Sequence, residues 1–305
     1  MLNPSGEQWE IRHGDQRAVV VEVGGGLREY EVGGIAVLDG YAVDEMCQGG
    51  RGQPLIPWPN RLGDGRYEFG GHTHQLPLNE PGKRNAIHGL VRWSSWQLVD
   101  RQPSRLRVAH TLHPQPGYPF TLGLHIDYSL SESGLAVSAT GTNLDAESLP
   151  YAAGFHPYLT LGEPAIDTAE VELHASLAIT VDERQLPTGV IDVGEGGVDF
   201  RARRRLGKAL LDTAFTELER DAEGRARVTM RSADRGRRVA IWMDSAFTHV
   251  MLFTGDTLQD ESRRRQGLAV EPMTCPPNAL ASGVGVAILE PQASHTCTWG
   301  ISVQT

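Results

Sequence analysis

The chain has 305 residues, with 28 basic against 38 acidic side chains and a formal charge of −10. Its arginines are scattered apart from Arg203 to Arg205 and Arg263 to Arg265, and Lys83 and Lys208 are the only lysines, so no basic stripe is present to neutralise phosphates and nucleic acid is excluded as a partner. Cys47, Cys275 and Cys297 form no CxxC pair, no apolar run approaches the ~18 residues of a membrane span, and Met1 to Asp15 lack the basic start and apolar core of a leader; the expectation is a cytoplasmic protein away from the membrane, its oligomeric state left open.

In chain order, Gly24 to Gly26 is glycine-rich but opens no helix, which removes a nucleotide-binding loop. From Arg61 to Leu76, short segments divided at Gly63, Asp64, Gly65 and at Gly70, Gly71 read as a β-meander, with His72 and His74 on one solvated strand. Arg204 to Asp212 is the best helix candidate, short and rich in arginine. Val228 and Met230, a turn at Asp234 to Gly236, and Val239, Ile241 and Met243 predict a hairpin. Val284, Val286 and Ile288, a turn at Pro291 to Ser294, and Thr296, Thr298 and Ile301 predict another. Turn signals recur roughly every 8 to 12 residues, the spacing of a sandwich or barrel. With no linker, composition break or repeat, residues 1–305 are expected to form a single all-β domain of two sheets packed face to face.

Among the histidines, two have a distinctive setting. His88 is followed directly by Gly89, which would let backbone approach a ligand. His156, in Gly154-Phe155-His156-Pro157-Tyr158, is held extended by the proline, a way to aim one side chain; its pKa would fall with apolar neighbours and rise beside a carboxylate. Asp212 and Glu271 are charges in apolar segments, and a charge there is paired or shifted because burying it alone costs several kcal/mol. Arg61, after the rigid run Pro57-Trp58-Pro59-Asn60, is the candidate fixed guanidinium. His72 and His74 have no carboxylate or cysteine nearby in sequence, so no metal site is expected.

Taken together, Trp58, Asn60, Arg61, Gly65, Tyr67, Phe69, Leu76, His88-Gly89, His156-Pro157-Tyr158, Leu211-Asp212, Phe215 and Glu271-Pro272 resemble, in order and spacing, the aldose 1-epimerase (galactose mutarotase) superfamily. Leu90 after His88-Gly89 and Pro157-Tyr158 after His156 are similar to its bacterial epimerase-like branches. The resemblance implies a large antiparallel β-sandwich (a galactose mutarotase-like supersandwich), a cofactor-free site on its concave face, and interconversion of the anomers of a sugar. It implies Glu271 as general base, His156 as general acid at the ring oxygen and His88 assisting there. Arg61, Asp212 and Asn60 would bind sugar hydroxyls, with Trp58 as a ring-stacking wall. A glutamate that is normally ionised and a histidine near ~6.5 stand on the right sides of neutrality for these roles.

The substrate expected is a small free hexose. A hexose 6-phosphate would need extra cations at the sugar's far end, for which the two arginine triplets are the available features. A sugar-binding module without chemistry would not need both His156 and Glu271, and a glycoside hydrolase would need Asp212 and Glu271 as a carboxylate pair across the scissile bond.

Overall fold

A computed structural model of the chain describes residues 2–163, 165–233 and 236–304. The long pair Leu122–Ser131 and Gly134–Asn143 shows what the sequence pattern dictates. Leu122, Leu124, Ile126, Tyr128 and Leu130 point inward while His125, Asp127 and Ser129 alternate outward, the two-residue period of a sheet with one wet face.

This pair sits inside a nine-stranded antiparallel sheet among the described residues. Its order is Gln97–Gln102, Arg105–Leu112, Leu122–Ser131, Gly134–Asn143, Ser294–Gln304, Arg238–Met243, Ala226–Arg231, Glu170–Leu173 and Arg204–Arg205. A second large sheet runs Pro187–Asp192, Ala175–Val181, Asp212–Leu218, His249–Phe253, Leu268–Met273, Gly154–Phe155 and Pro54–Leu55, with Tyr158–Leu159 also pairing to Leu268–Met273. Leu252, Val270 and Phe215 of this sheet and Ile126, Val137 and Trp299 of the other belong to one hydrophobic core, so the molecule is a large antiparallel β-sandwich. A four-stranded sheet at the start of the chain, from Gln8–His13 to Ile35–Ala36, adds Trp9, Ile11 and Tyr30 to that core.

Three local expectations change. The hairpin at Ala226–Arg231 and Arg238–Met243 forms, with Val228 opposite Ile241; Asp234 and Arg235 of its turn lie outside the described residues. Residues 287–289 do not pair back on 294–304. Ala287–Leu289 pairs with Leu149–Tyr151, while Ser294–Gln304 is drawn between two long strands of the large sheet. In the expected meander, Arg66–Phe69 pairs with His72–Gln75, but Arg61–Gly63 turns away to pair with Asn85–Ile87. Arg204 to Asp212 forms no helix: Arg204–Arg205 is an edge strand on Glu170–Val171, and Asp212 starts a strand of the second sheet.

Neighbouring residues on opposite faces should separate core from surface. Ile126 is fully buried, whereas Asp127 makes a two-point contact with an exposed Arg107 at 2.8 and 2.9 Å. Urea unfolding is expected to show Ile126→Ala losing about 2–5 kcal/mol and Asp127→Ala less than about 1 kcal/mol; equal losses would contradict this pleat.

Candidate active site

The second sheet presents one face to a cleft, and register decides which side chains share it. Glu271 is opposite Met251, which is opposite Ala214; Phe253 is opposite Asp212, and Ala269 is opposite both Phe253 and Tyr158. Directly opposed residues, and residues two apart, point to the same side, so Asp212, Phe253, Tyr158 and Glu271 share a face. The pairs Gly154 with Met273 and Tyr158 with Ala269 fix the register across the gap between them. Counting two residues inward from either pair sets His156 directly across from Glu271.

Both residues precede a proline, and the strand carrying His156 is interrupted there. Proline offers no N–H to the ladder. The His156 backbone turns its groups to the other neighbour instead, its N–H donating to the Gln53 carbonyl (3.1 Å) and its carbonyl accepting from Gly52 (2.9 Å). Gly50, in the left-handed region at φ 74°, lies against the imidazole, where a Cβ would stand 2.9 Å from Cδ2. On its other face the ring stacks on Tyr158, centroids 4.9 Å apart and 15° from parallel, and the Tyr158 hydroxyl donates to Gly49.

The pair so held is nearly sealed: His156 is 4% and Glu271 2% exposed, with Nε2 3.2 Å from Oε1. Glu271 Oε2 and His156 Nδ1 are buried without hydrogen-bond partners. Desolvation, then the Asp212 charge, pushes the Glu271 carboxyl well above its usual range despite the opposing pull of Arg61. Desolvation, followed by Arg92, pulls the His156 imidazole down to about 3. The expectation of an ionised glutamate and a histidine near 6.5 is therefore corrected: removal from water drives both groups toward their neutral forms.

His88 completes the cluster, one ring nitrogen of each histidine and a Glu271 oxygen lying within 4.8 Å of one another. Its Nδ1 accepts the Asn60 backbone N–H at 3.2 Å and its own N–H donates to the Asn60 carbonyl at 3.0 Å. Both residues adopt left-handed backbone, φ 65° and 58°. With Nδ1 an acceptor, neutral His88 carries its proton on Nε2. Burial, followed by Arg92, holds its pKa well below 6.5, so it acts as a neutral donor. Gly89 serves a different purpose from the one expected. A Cβ there would meet the Ile56 carbonyl oxygen at 2.0 Å, so the glycine admits neighbouring backbone rather than a ligand.

Arg61 is fixed through Glu80, to which Nε donates at 3.0 and 3.1 Å, and it reaches Asp212 at 3.6 Å. Asn60, Arg61, His88, His156, Asp212, Phe253 and Glu271 meet around the floor of the cleft. Above it lies a cavity of about 560 Å³, within the range of small-molecule sites. Its walls come from three segments: Met46 to Arg51, Asn79 to Arg92, and Thr257 to Arg263. The structure thus gathers six of the seven residues singled out from the sequence. Trp58 is the exception: its indole is 3% exposed in the main core and absent from the cavity lining, and the aromatic surfaces there are Phe253 and Tyr158. Of the two arginine triplets only Arg263 lines the cavity. Arg204 and Arg205 are on the edge of the other sheet, Arg264 pairs with Glu261, and Arg265 pairs with Asp167 and Asp256.

Two imidazoles and a carboxylate could also hold a divalent cation. Without one, the arrangement can pass protons between two oxygens of a bound molecule. Glu271 Oε2 has no hydrogen-bond partner, His156 Nε2 stands 3.2 Å from the other carboxyl oxygen, and His88 can donate from the side.

A profile described as aldose 1-epimerase matches residues 7–302. Over 301 residues the chain is 34% identical to the uncharacterized protein YihR of Escherichia coli K12, covering 98% of this chain and 94% of that one. It is 28% identical over 267 residues to galactose mutarotase of Mus musculus, covering 79% and 75%. Among solved structures, the GalM/aldose epimerase homologue from C. elegans superposes with a TM-score of 0.87 at 17% identity over 98% of each chain. Galactose 1-epimerase from Lactobacillus acidophilus superposes with a TM-score of 0.82 at 20% identity, over 97% of this chain and 94% of that one. At such identities the likeness of the structures is one of fold.

Proposed function

The chain belongs to the aldose 1-epimerase family, and from that premise we propose that it is an aldose 1-epimerase interconverting the α and β anomers of a free hexose by acid–base ring opening and reclosure. The observation that carries the reading is the buried Glu271 and His156 pair, 3.2 Å apart at the floor of the cavity, with Glu271 Oε2 left without a partner. Sugar binding replaces the direct contact: Glu271 accepts the hydrogen bond from the anomeric hydroxyl, and the His156 imidazolium donates to the ring oxygen.

In the reaction the carboxylate takes the hydroxyl proton and C1 forms a double bond to its oxygen. The C1–O5 bond breaks, its electron pair passes to O5, and His156 Nε2–H supplies the proton there. The pair has now moved from imidazolium and carboxylate to imidazole and carboxylic acid with its proton count unchanged. Rotation about C1–C2 presents the other carbonyl face, and the same transfers in reverse close the ring. Burial favours the neutral pair, and the hydrogen bonds to the anomeric hydroxyl and ring oxygen favour the ion pair, so the two pulls oppose each other as a freely reversible reaction requires. His88 Nε2–H steadies the ring oxygen, and Arg61, Asp212 and Asn60 hold hydroxyls. No metal, redox cofactor or macromolecular partner enters this scheme. The three cysteines are unpaired and buried, which fits a cytoplasmic setting, and no described helix is long and apolar enough to cross a membrane.

A binding module without chemistry accounts less well for a buried carboxylate oxygen with no partner, because leaving it unsatisfied costs about 1–3 kcal/mol. Polarimetry against pH tests the scheme. The active form carries one proton shared by the pair, so kcat/KM should follow a bell whose limbs belong to the pair. Its acid limb should lie well below 6.5, toward the depressed His156 value of about 3, and its alkaline limb at the raised Glu271 value. An acid limb centred at 6.5 would show instead a histidine titrating as if in water.

A further inference from the structure

One cation in the cavity has no assigned work. Arg92 lines the cavity with its guanidinium over the Trp93 ring at 5.8 Å, its Nε is buried without a hydrogen-bond partner, and among the described residues no carboxylate pairs with it. The group that supports its charge is the Cys47 thiol, which burial pushes up to about 11 and so leaves neutral. The other arginines of the walls differ. Arg61 has Glu80 and Asp212, while Arg51 and Arg263 share Asp39, at 3.3 and 2.8 Å. Asp260, also on this wall, hydrogen-bonds its own Ser262 and reaches Arg263 and Arg51 only through its charge. Four guanidiniums, of Arg51, Arg61, Arg92 and Arg263, line the cavity against two carboxylates, of Glu80 and Asp260, which leaves positive charge facing it. A largely desolvated charge without a counter-charge is costly and is tolerated where a ligand supplies one.

Its position says which part of the ligand. Arg92 is the charge that acts most strongly on both His88 and His156, whereas the charges acting on Glu271 are Asp212 and Arg61. The Gln53 side chain donates to the Arg92 carbonyl at 2.8 Å while the Gln53 carbonyl accepts from the His156 N–H at 3.1 Å, so Arg92 lies on the imidazole side of the cluster. With the imidazoles at the ring oxygen and Glu271 at the anomeric hydroxyl, that side is occupied by C5 and the exocyclic C6. Resting on the epimerase reading and replacing its neutral free hexose by a charged one, we propose that the substrate is a hexose with an anionic group at C6, bound by Arg92 with Arg51 and Arg263 behind it. Carboxylate, sulfonate and phosphate share the chemistry required, since a planar guanidinium donates two parallel hydrogen bonds to any of them.

The test measures anomer exchange by saturation-transfer NMR at low ionic strength for glucose, glucuronate, glucose 6-phosphate and 6-deoxy-6-sulfoglucose, with wild type, Arg92→Met and Arg92→Lys. At least one anionic sugar should exceed glucose in kcat/KM by about tenfold or more. Arg92→Met should cut that ratio by about tenfold through KM, Arg92→Lys should restore part of it, and the advantage should shrink with added salt. The preferred sugar identifies the anion. Glucose turned over as well as every anionic sugar, or a ratio unchanged in Arg92→Met, overturns the proposal while leaving the epimerase reading intact. Exchange of none of the four overturns the epimerase reading instead. Calorimetric titration of the same sugars into wild type and Arg92→Met then decides the anion site: loss of anion binding in the variant upholds it, and equal binding overturns it.

Discussion

Glu271→Gln is expected to lose about 10²- to 10⁴-fold in catalysed anomer exchange, the contribution of a general base, while its melting temperature at neutral pH equals or exceeds that of the wild type. Glutamine keeps the shape and one donor or acceptor toward His156 Nε2 but takes no proton. The gain in stability follows from linkage. The folded-state pKa of Glu271 is raised by burial and by Asp212, so its protonated form is the one the fold favours. That contribution is fully present below about 4.3, where an unfolded glutamate is still protonated, and is lost as pH rises through the raised folded value. The variant escapes this loss, so its advantage should be small near pH 4 and widen as pH rises. Differential scanning calorimetry from pH 4 to 8 reads it, and a variant equally inactive but destabilised at every pH would indicate a structural role for the carboxylate.

His156→Asn should cost a similar 10²- to 10⁴-fold but with a different signature. Its ring stacks on Tyr158 and supports Gly50, so some stability is lost with it. Glu271 also loses its proton-sharing partner, so the alkaline limb of the pH profile should move. Because the two residues pass protons as a unit, the double variant with Glu271→Gln should fall little below either single one. Losses that multiply would show that the two groups act in separate steps.

Much of this site can be read from the chain because local chemistry marks it. His156-Pro157 and Glu271-Pro272 stand out as polar residues before prolines in apolar segments, and the register of their strands places them opposite each other. Alternation likewise marks Ala226–Arg231 and Arg238–Met243 as strands. What it cannot supply is which strands meet. Ser294–Gln304 leaves its sequence neighbour for Gly134–Asn143 and Arg238–Met243, because an eleven-residue strand finds ladder partners along most of its length there, where Ala287–Leu289 offers three residues. Glu80 and Arg92 escaped notice because they lie outside the marked dipeptides in segments without period, and only the fold brings them beside Arg61 and His88. Trp58 differs: the resemblance implied a ring-stacking wall, yet the fold spends its large apolar surface on the core.

The central claim is that the buried Glu271 and His156 pair opens and recloses a sugar ring. Saturation transfer between the α and β anomeric protons of a hexose measures this directly, at equilibrium and without a coupling enzyme. Wild-type protein is predicted to speed exchange in proportion to its concentration without altering the anomer ratio, and Glu271→Gln to return the rate to that of buffer. Exchange at the buffer rate with wild type across neutral and C6-anionic hexoses, or full activity in Glu271→Gln, would contradict it.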